Sequence, residues 1–61
     1  MEKTRVLIVD DVVGIRDMLI NLITSDPKLE VAGEAEDGAD ALELIEDTRP
    51  DVVLLDIIMP R

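Results

Sequence analysis

Hydrophobic residues follow two spacings along the chain, and the two spacings alternate. Apolar runs of strand length occur at residues 5–9 and at Val52–Leu55. LEVAGEA, Leu29–Ala35, is also predicted to be a strand, although Gly33 weakens that prediction. Runs of this kind are typical of strands buried on both faces of a parallel sheet. Between them the spacing becomes helical, over about residues 12–25 and up to about Thr48. The pattern therefore predicts a β-α-β-α-β chain.

Turn and capping residues mark the ends of both predicted helices. Pro27 cannot continue the first helix, Asp37 is a suitable N-cap for the second, and Pro50 moves Arg49 out of the helical region. The first helix has a predicted apolar stripe of Val12, Ile15, Leu19 and Leu22, widened by Met18 and Ile23. The second has Ala41, Leu42 and Ile45, with Leu44 beside them.

The short connections restrict how these elements are arranged. Crossovers between parallel strands are right-handed, so we expect three parallel strands in the order 2-1-3 with one helix on each face. This is a βαβαβ half of a doubly wound α/β fold. No repeat, linker or internal domain boundary is visible within residues 1–61. A domain of about 60 residues buries only ~60% of its unfolded surface, and the unit looks incomplete.

Three carboxylates follow strands that should be neighbours. Asp10 and Asp11 follow the first strand, and Asp56 follows the third, inside DVVLLDIIMPR. Functional groups of open parallel sheets gather at the carboxyl ends of the strands, so we expect these acids to converge. Clustered carboxylates repel one another unless a cation compensates, and they suit Mg²⁺. A carboxylate beside Mg²⁺ can attack a phosphorus atom. The simpler interpretation is a helix cap for Asp10 or Asp11 and a solvent-exposed strand end for Asp56.

The composition restricts the partners and the chemistry. The chain has 61 residues and a net charge of −9, and it contains no histidine, cysteine or aromatic residue. An acidic segment without aromatic side chains is unsuited to direct contact with nucleic acid, whereas it suits a basic partner or a divalent cation. Disulfides and thiolate zinc sites are excluded. Neither a signal peptide nor a membrane-spanning run is visible, so we expect no membrane contact and a cytoplasmic protein.

Three segments carry a family resemblance when they are taken together. They are VLIVDD at the first strand, GEAEDGADALE at the start of the second helix and PDVVLLDIIMP at the third strand. In combination they resemble the receiver domain of bacterial two-component response regulators. Arg16 also falls five positions after Asp11, as it does in many receivers. The resemblance covers essentially the whole chain.

The resemblance implies a flavodoxin-like fold and a role for each matching residue. Asp56 would be the phosphoacceptor, receiving a phosphoryl group from the phosphohistidine of a histidine kinase or from a phosphotransfer protein. Asp11 would ligate Mg²⁺ directly, and Asp10 would help through a water or by its charge. Asp56 and the backbone carbonyl of Ile58 would be further ligands. Such a module accepts a phosphoryl group and is not a turnover enzyme.

Departures from the family pattern leave two functions open. Receivers have five strands and five helices, so residues 1–61 would be the amino-terminal half of one. The hydroxyl residue after the fourth strand and the lysine after the fifth have no counterpart here. The alternative is a truncated or engineered half-domain that self-associates as a structural module without phosphotransfer. If this half is stable alone, we expect a homo-oligomer through the exposed third-strand edge. The output also stays open, because the sequence is similar to receivers attached to DNA-binding effectors and to a chemotaxis methylesterase.

Overall fold

The five predicted elements are present in the computed structural model, which describes residues 2–55. They are β1 (Thr4–Val9), α1 (Val13–Thr24), β2 (Leu29–Ala35), α2 (Gly38–Thr48) and β3 (Val52–Leu55). The order of elements is confirmed. β1 begins one residue earlier than predicted, and α1 is one residue shorter at each end, which is the usual uncertainty where strands and helices fray.

The strands form one parallel sheet in the order β2-β1-β3, as predicted. On one side of β1 the register runs without interruption from Val6 opposite Val52 to Val9 opposite Leu55. On the other side the register with β2 shifts between Val6 and Leu7. Ala32 is the additional residue at this irregularity, since Val31 lies opposite Val6 and Gly33 lies opposite Leu7. The glycine that weakened the strand pattern therefore follows a bulge-like step, a common place for glycine in a strand.

Alternate residues of β1 point to opposite faces of the sheet, and each face is covered by one helix. The α2 face is formed by Leu7, Val9, Ala35 and Ala41, with Leu44 and Ile45 packed against them. The α1 face is formed by Val6, Ile8 and Ile23, with Leu19, Ile20, Leu29 and Val31 packed against them. The expectation of one helix per face is confirmed. Both cores depend on β1, because its side chains alternate between the two faces and are the most deeply buried of the sheet.

The predicted apolar stripe of α1 is only partly correct. Ile23 is buried and Leu19 is packed against the sheet, as expected, and Ile20 also contributes. In contrast, Ile15, Met18 and Leu22 are exposed by 39, 56 and 63%. Apolar residues surround most of this helix, so periodicity alone did not identify the sector that faces the strands. On α2 the same error applies to Leu42, which is 67% exposed.

The helix ends confirm one predicted cap and correct another. Asp37 is the N-cap of α2, and its Oδ1 accepts a hydrogen bond from the Asp40 N–H at 2.9 Å. For α1 the N-cap is Val12, which has no side-chain hydrogen bond, so the idea that Asp10 or Asp11 occupies that position is wrong. Arg49 ends α2 in the left-handed conformation, with φ 48°. It is thus outside the helical region, as predicted.

Candidate functional site

Asp10 lies at the carboxyl end of the central strand and is almost completely buried, with 2% of its surface exposed. Its N–H donates to the Ala35 carbonyl at 3.0 Å, which extends the ladder with β2 by one bond. Its Oδ1 accepts from the Val12 N–H at 2.8 Å. Among residues 2–55, Val12 is the residue that donates a hydrogen bond to this carboxylate. A buried carboxylate with a fixed orientation is a suitable ligand for a hard cation.

Asp11 is the next residue along the chain, and its environment is different. It is exposed, and its side chain makes no hydrogen bond or ion pair within the described part of the chain. The two acids therefore combine a held carboxylate with one that is accessible from solvent, at the same edge of the sheet. The structure thus places both predicted ligands at the carboxyl end of β1. Their hard oxygen donors fit Mg²⁺, which keeps several waters and needs few protein ligands.

The other two predicted site residues, Asp56 and Ile58, lie outside the described residues. The structure does describe Leu55, which precedes Asp56 in the sequence and lies opposite Val9, the residue before Asp10. Convergence of the three acids stays a prediction.

An arginine beside the acids was not predicted to have any contact there. The Arg16 Nη1 donates to the backbone carbonyl of Asp10 at 2.9 Å. The Arg16 Nε lies 3.3 Å from Oε1 of Glu34, near the end of β2. The sequence offered a partial signal, because Arg16 falls in the first turn of the helix that leaves this edge of the sheet. The pairing with Glu34 could be seen only once the strand order was known.

A second group of acids lies at the beginning of α2. Carboxylate oxygens of Glu36, Asp37 and Asp40 all lie within 4.8 Å of one another, and the three residues are exposed. Helix capping accounts for part of this proximity, since Asp37 bonds the Asp40 N–H. These residues are not the predicted ligands. Their exposure is that of acids on a solvated helix face.

The amino edge of the sheet has a different charge pattern and anchors the beginning of β3. The Asp51 N–H donates to the Arg5 carbonyl at 2.8 Å, and the Arg5 N–H donates to Oδ2 of Asp51 at 2.9 Å. The Arg5 side chain also donates to the Thr48 carbonyl and lies 3.5 Å from Glu30. An open cleft of about 540 Å³ lies here, lined by Glu2, Lys3, Arg5, Glu30, Arg49 and Asp51. This edge therefore carries charges of both signs and is distinct from the edge where Asp10 and Asp11 lie.

An open parallel sheet of order β2-β1-β3, one helix per face and an acidic carboxyl edge define a flavodoxin-like α/β half-fold. The model of the response regulator receiver domain matches residues 6–61. The chain belongs to this family, whose members are phosphoacceptor modules of two-component signalling. Receiver domains generally bind Mg²⁺ through acidic residues and interact with histidine kinases or phosphotransfer proteins.

Several similar proteins are protein-glutamate methylesterase/protein-glutamine glutaminases. The chain is 56% identical over 59 residues to a protein-glutamate methylesterase/protein-glutamine glutaminase of Pyrococcus abyssi (strain GE5 / Orsay). It is 52% identical over 61 residues to protein-glutamate methylesterase/protein-glutamine glutaminase 2 of Saccharophagus degradans (strain 2-40). These matches cover 97% and 100% of this chain but only 16% and 18% of the relatives. Within residues 2–55, no helix has both the length and the apolar character needed to cross a bilayer.

Proposed function

We propose that Asp56 is the residue that accepts the phosphoryl group. The observation that carries this assignment is the register of the two central strands, in which Leu55 lies opposite Val9. Asp56 and Asp10 are the residues that follow Leu55 and Val9 in the sequence, and consecutive Cα atoms are only about 3.8 Å apart. Continuation of the register would bring the acceptor beside the two acids that follow β1.

The same acids are proposed to hold Mg²⁺. Asp11 is accessible and would ligate the ion directly, whereas the buried Asp10 would help through a water or by its charge. Asp56 and the backbone carbonyl of Ile58 would complete the protein ligands. When bound, the ion supplies positive charge against the phosphoryl oxygens. The burial of Asp10 and its bond from Val12 support a ligand whose orientation is set in advance.

The reaction is a transfer between two covalent phosphoryl carriers. A carboxylate oxygen of Asp56 attacks the phosphorus of a phosphohistidine on the histidine kinase or phosphotransfer protein. The new O–P bond forms as the N–P bond breaks, and the departing imidazole takes up a proton. The product is an acyl phosphate on Asp56 and a free histidine on the donor. The chain would thus act as an acceptor and not as a turnover enzyme.

Mass spectrometry of the protein with a small-molecule phosphoryl donor and Mg²⁺ tests the assignment. We expect the mass of one added phosphoryl group, mapped to Asp56, and loss of this addition when Mg²⁺ is chelated. Asp56→Asn should abolish the addition and Asp11→Asn should reduce it. Asp47→Asn is the matched control, because Asp47 is an exposed acid on α2 away from this edge. Label on Asp10 or Asp11, or undiminished label in Asp56→Asn, would refute the assignment.

For the protein as a whole, we infer a response regulator with a methylesterase or glutaminase output. The support is the shared description of the similar proteins, of which this chain spans about a sixth. Residues 1–61 would be the amino-terminal half of the receiver, working in the cytoplasm. Purification of the whole protein and assay of methyl ester hydrolysis on glutamate methyl esters tests this output. Sequence-specific DNA binding without hydrolysis would favour the other class of effector.

One observation favours the alternative function, self-association as a structural module. All four residues of β3 are exposed, by 37 to 55%, although the strand is apolar. Exposed apolar edge strands pair readily with other strands, and we propose that a second copy adds along β3 when this half is produced alone. Sedimentation velocity should show a dimer or larger species that Leu54→Lys shifts to monomer. Leu42→Lys, at an exposed leucine of α2, should leave the association unchanged. A folded monomer that takes up phosphate would refute this alternative.

A further inference from the structure

Arg16 is the one basic residue at the carboxyl edge among those the structure describes. Three of the others, Lys3, Arg5 and Arg49, line the cleft at the amino edge, and the Lys28 carbonyl accepts from the first residue of β1. The Arg16 side chain is also largely buried by its neighbours, with only 13% of its surface exposed. Burying a guanidinium costs side-chain freedom and hydration, so the contacts that Arg16 makes are the best guide to its role.

The main contact of Arg16 satisfies a backbone carbonyl at the end of the β1–β2 hydrogen-bond ladder. The Asp10 N–H bonds to the Ala35 carbonyl, but β2 ends at Ala35 and offers no backbone donor to the Asp10 carbonyl within residues 2–55. A buried carbonyl without a donor is costly, and Asp10 is almost fully buried. Nη1 of Arg16 provides the donor at 2.9 Å. Both backbone groups of Asp10 are thus hydrogen-bonded, the N–H to Ala35 and the carbonyl to Arg16.

Glu34 contributes in a less directional way. Its carboxylate lies 3.3 Å from Nε of Arg16, yet this buried Nε has no hydrogen bond of acceptable geometry. Glu34 is exposed, and the attraction is therefore partly screened by solvent. Charge attraction from Glu34 and the directional bond to Asp10 act on the same guanidinium, but only the second acts on a predicted metal ligand.

We propose that Arg16 is a positioning residue for the Mg²⁺ site, an inference that rests on the proposed function. It does not bond the carboxylate of Asp10, whose Oδ1 is already taken by the Val12 N–H. Instead it holds the carbonyl of the peptide group between Asp10 and Asp11, which sets the backbone orientation from which both carboxylates extend. Arg16 thus acts on the ion through the backbone of its ligands.

The sign of the effect on Mg²⁺ affinity separates this role from a simple charge effect. By Coulomb attraction alone, removal of a positive charge near the acids would strengthen binding of a cation. Loss of an outer contact that orients a ligand weakens binding, typically by about 10- to 100-fold. We therefore expect Arg16→Met to bind Mg²⁺ about tenfold more weakly than the parent. If Arg16 acted by its charge alone, Arg16→Met would bind Mg²⁺ more tightly than the parent.

The test is a Mg²⁺ titration of the intact protein, followed by the amide signals of Asp10 and Asp11, with unfolding measured separately without Mg²⁺. Glu34→Gln is the matched control and should retain the parent's Mg²⁺ affinity, because the bond to the Asp10 carbonyl remains. Arg16→Lys retains the charge but loses the planar fork, and should recover the affinity only in part. If Arg16→Met does not fold, Arg16→Lys decides the matter.

Each outcome has a definite meaning. Weaker binding in Arg16→Met or Arg16→Lys, with Glu34→Gln like the parent, supports the proposal. Equal or tighter binding in the folded variants overturns it, even when their free energy of unfolding falls, since Arg16 would then serve stability alone. A parent protein that binds no Mg²⁺ overturns the proposed metal site and this inference with it.

Discussion

Gly33 is the position where a single methyl group should stabilise the protein. It lies in β2 opposite Leu7, directly after the step in register, and its φ is not positive. A Cβ built there would be 3.4 Å from Cδ1 of Leu7 and 3.7 Å from both Cδ atoms of Leu44. These distances correspond to van der Waals contact without severe overlap, so alanine should fit between the central strand and α2.

The magnitude follows from two contributions. Replacing glycine by alanine at a compatible conformation stabilises by about 0.4–1 kcal/mol through the unfolded chain. A buried methylene-sized group adds up to ~0.8 kcal/mol, and the 3.4 Å contact with Leu7 reduces this second contribution. We expect Gly33→Ala to raise the free energy of unfolding by about 1 kcal/mol. For a domain of this size that corresponds to roughly 4–8 °C in Tm.

Urea unfolding followed by far-UV circular dichroism is the suitable assay, because the chain contains no tryptophan or tyrosine. Gly14→Ala in α1 is the control, since its Cβ would meet nothing within 4 Å and only the backbone contribution of at most ~1 kcal/mol applies. Gly33→Leu should reverse the sign, because overpacking costs about 1–3 kcal/mol. A lower free energy of unfolding for Gly33→Ala would refute the packing described for β2 and α2.

Three smaller predictions concern caps and packing. Asp37→Ala should lower the free energy of unfolding by about 1 kcal/mol through loss of the N-cap bond to Asp40, and Asp37→Asn should not; equal effects of both would contradict the role of this cap. Arg49→Gly should raise the free energy of unfolding by up to ~1–2 kcal/mol, since glycine adopts the left-handed conformation without cost, and a decrease would mean that the arginine side chain matters more. Ile8→Val should cost about 0.5–1.5 kcal/mol in the same urea assay, because Ile8 is fully buried against α1; no change would argue against that core.

Local signals were sufficient for the order of the elements and for several of their ends. The apolar runs identified all three strands, Pro27 and Asp37 identified helix boundaries, and the right-handed crossover rule predicted the order of the sheet. These features depend on residues close together in sequence or on a rule of chain handedness. The strand-end positions of Asp10 and Asp11 followed for the same reason.

The same local reasoning failed where a residue had more than one possible partner. Periodicity on α1 allowed several apolar sectors, and contact with β1 and β2 selected Leu19, Ile20 and Ile23. Arg16 bonds the Asp10 carbonyl where β2, which ends at Ala35, supplies no backbone donor. Neither the buried sector of α1 nor the Arg16 contact can be predicted from residue spacing alone.

By itself, then, the sequence determined the alternation of strands and helices, the family and the candidate acids, because each depends on short-range pattern or on motifs. Only the tertiary structure decided which helix sectors are buried, where β2 takes its extra residue, and that Arg16 and Glu34 meet beside Asp10. The reason is physical. Burial and hydrogen-bond satisfaction are settled between elements, when three strands and two helices compete for the same limited contact surface.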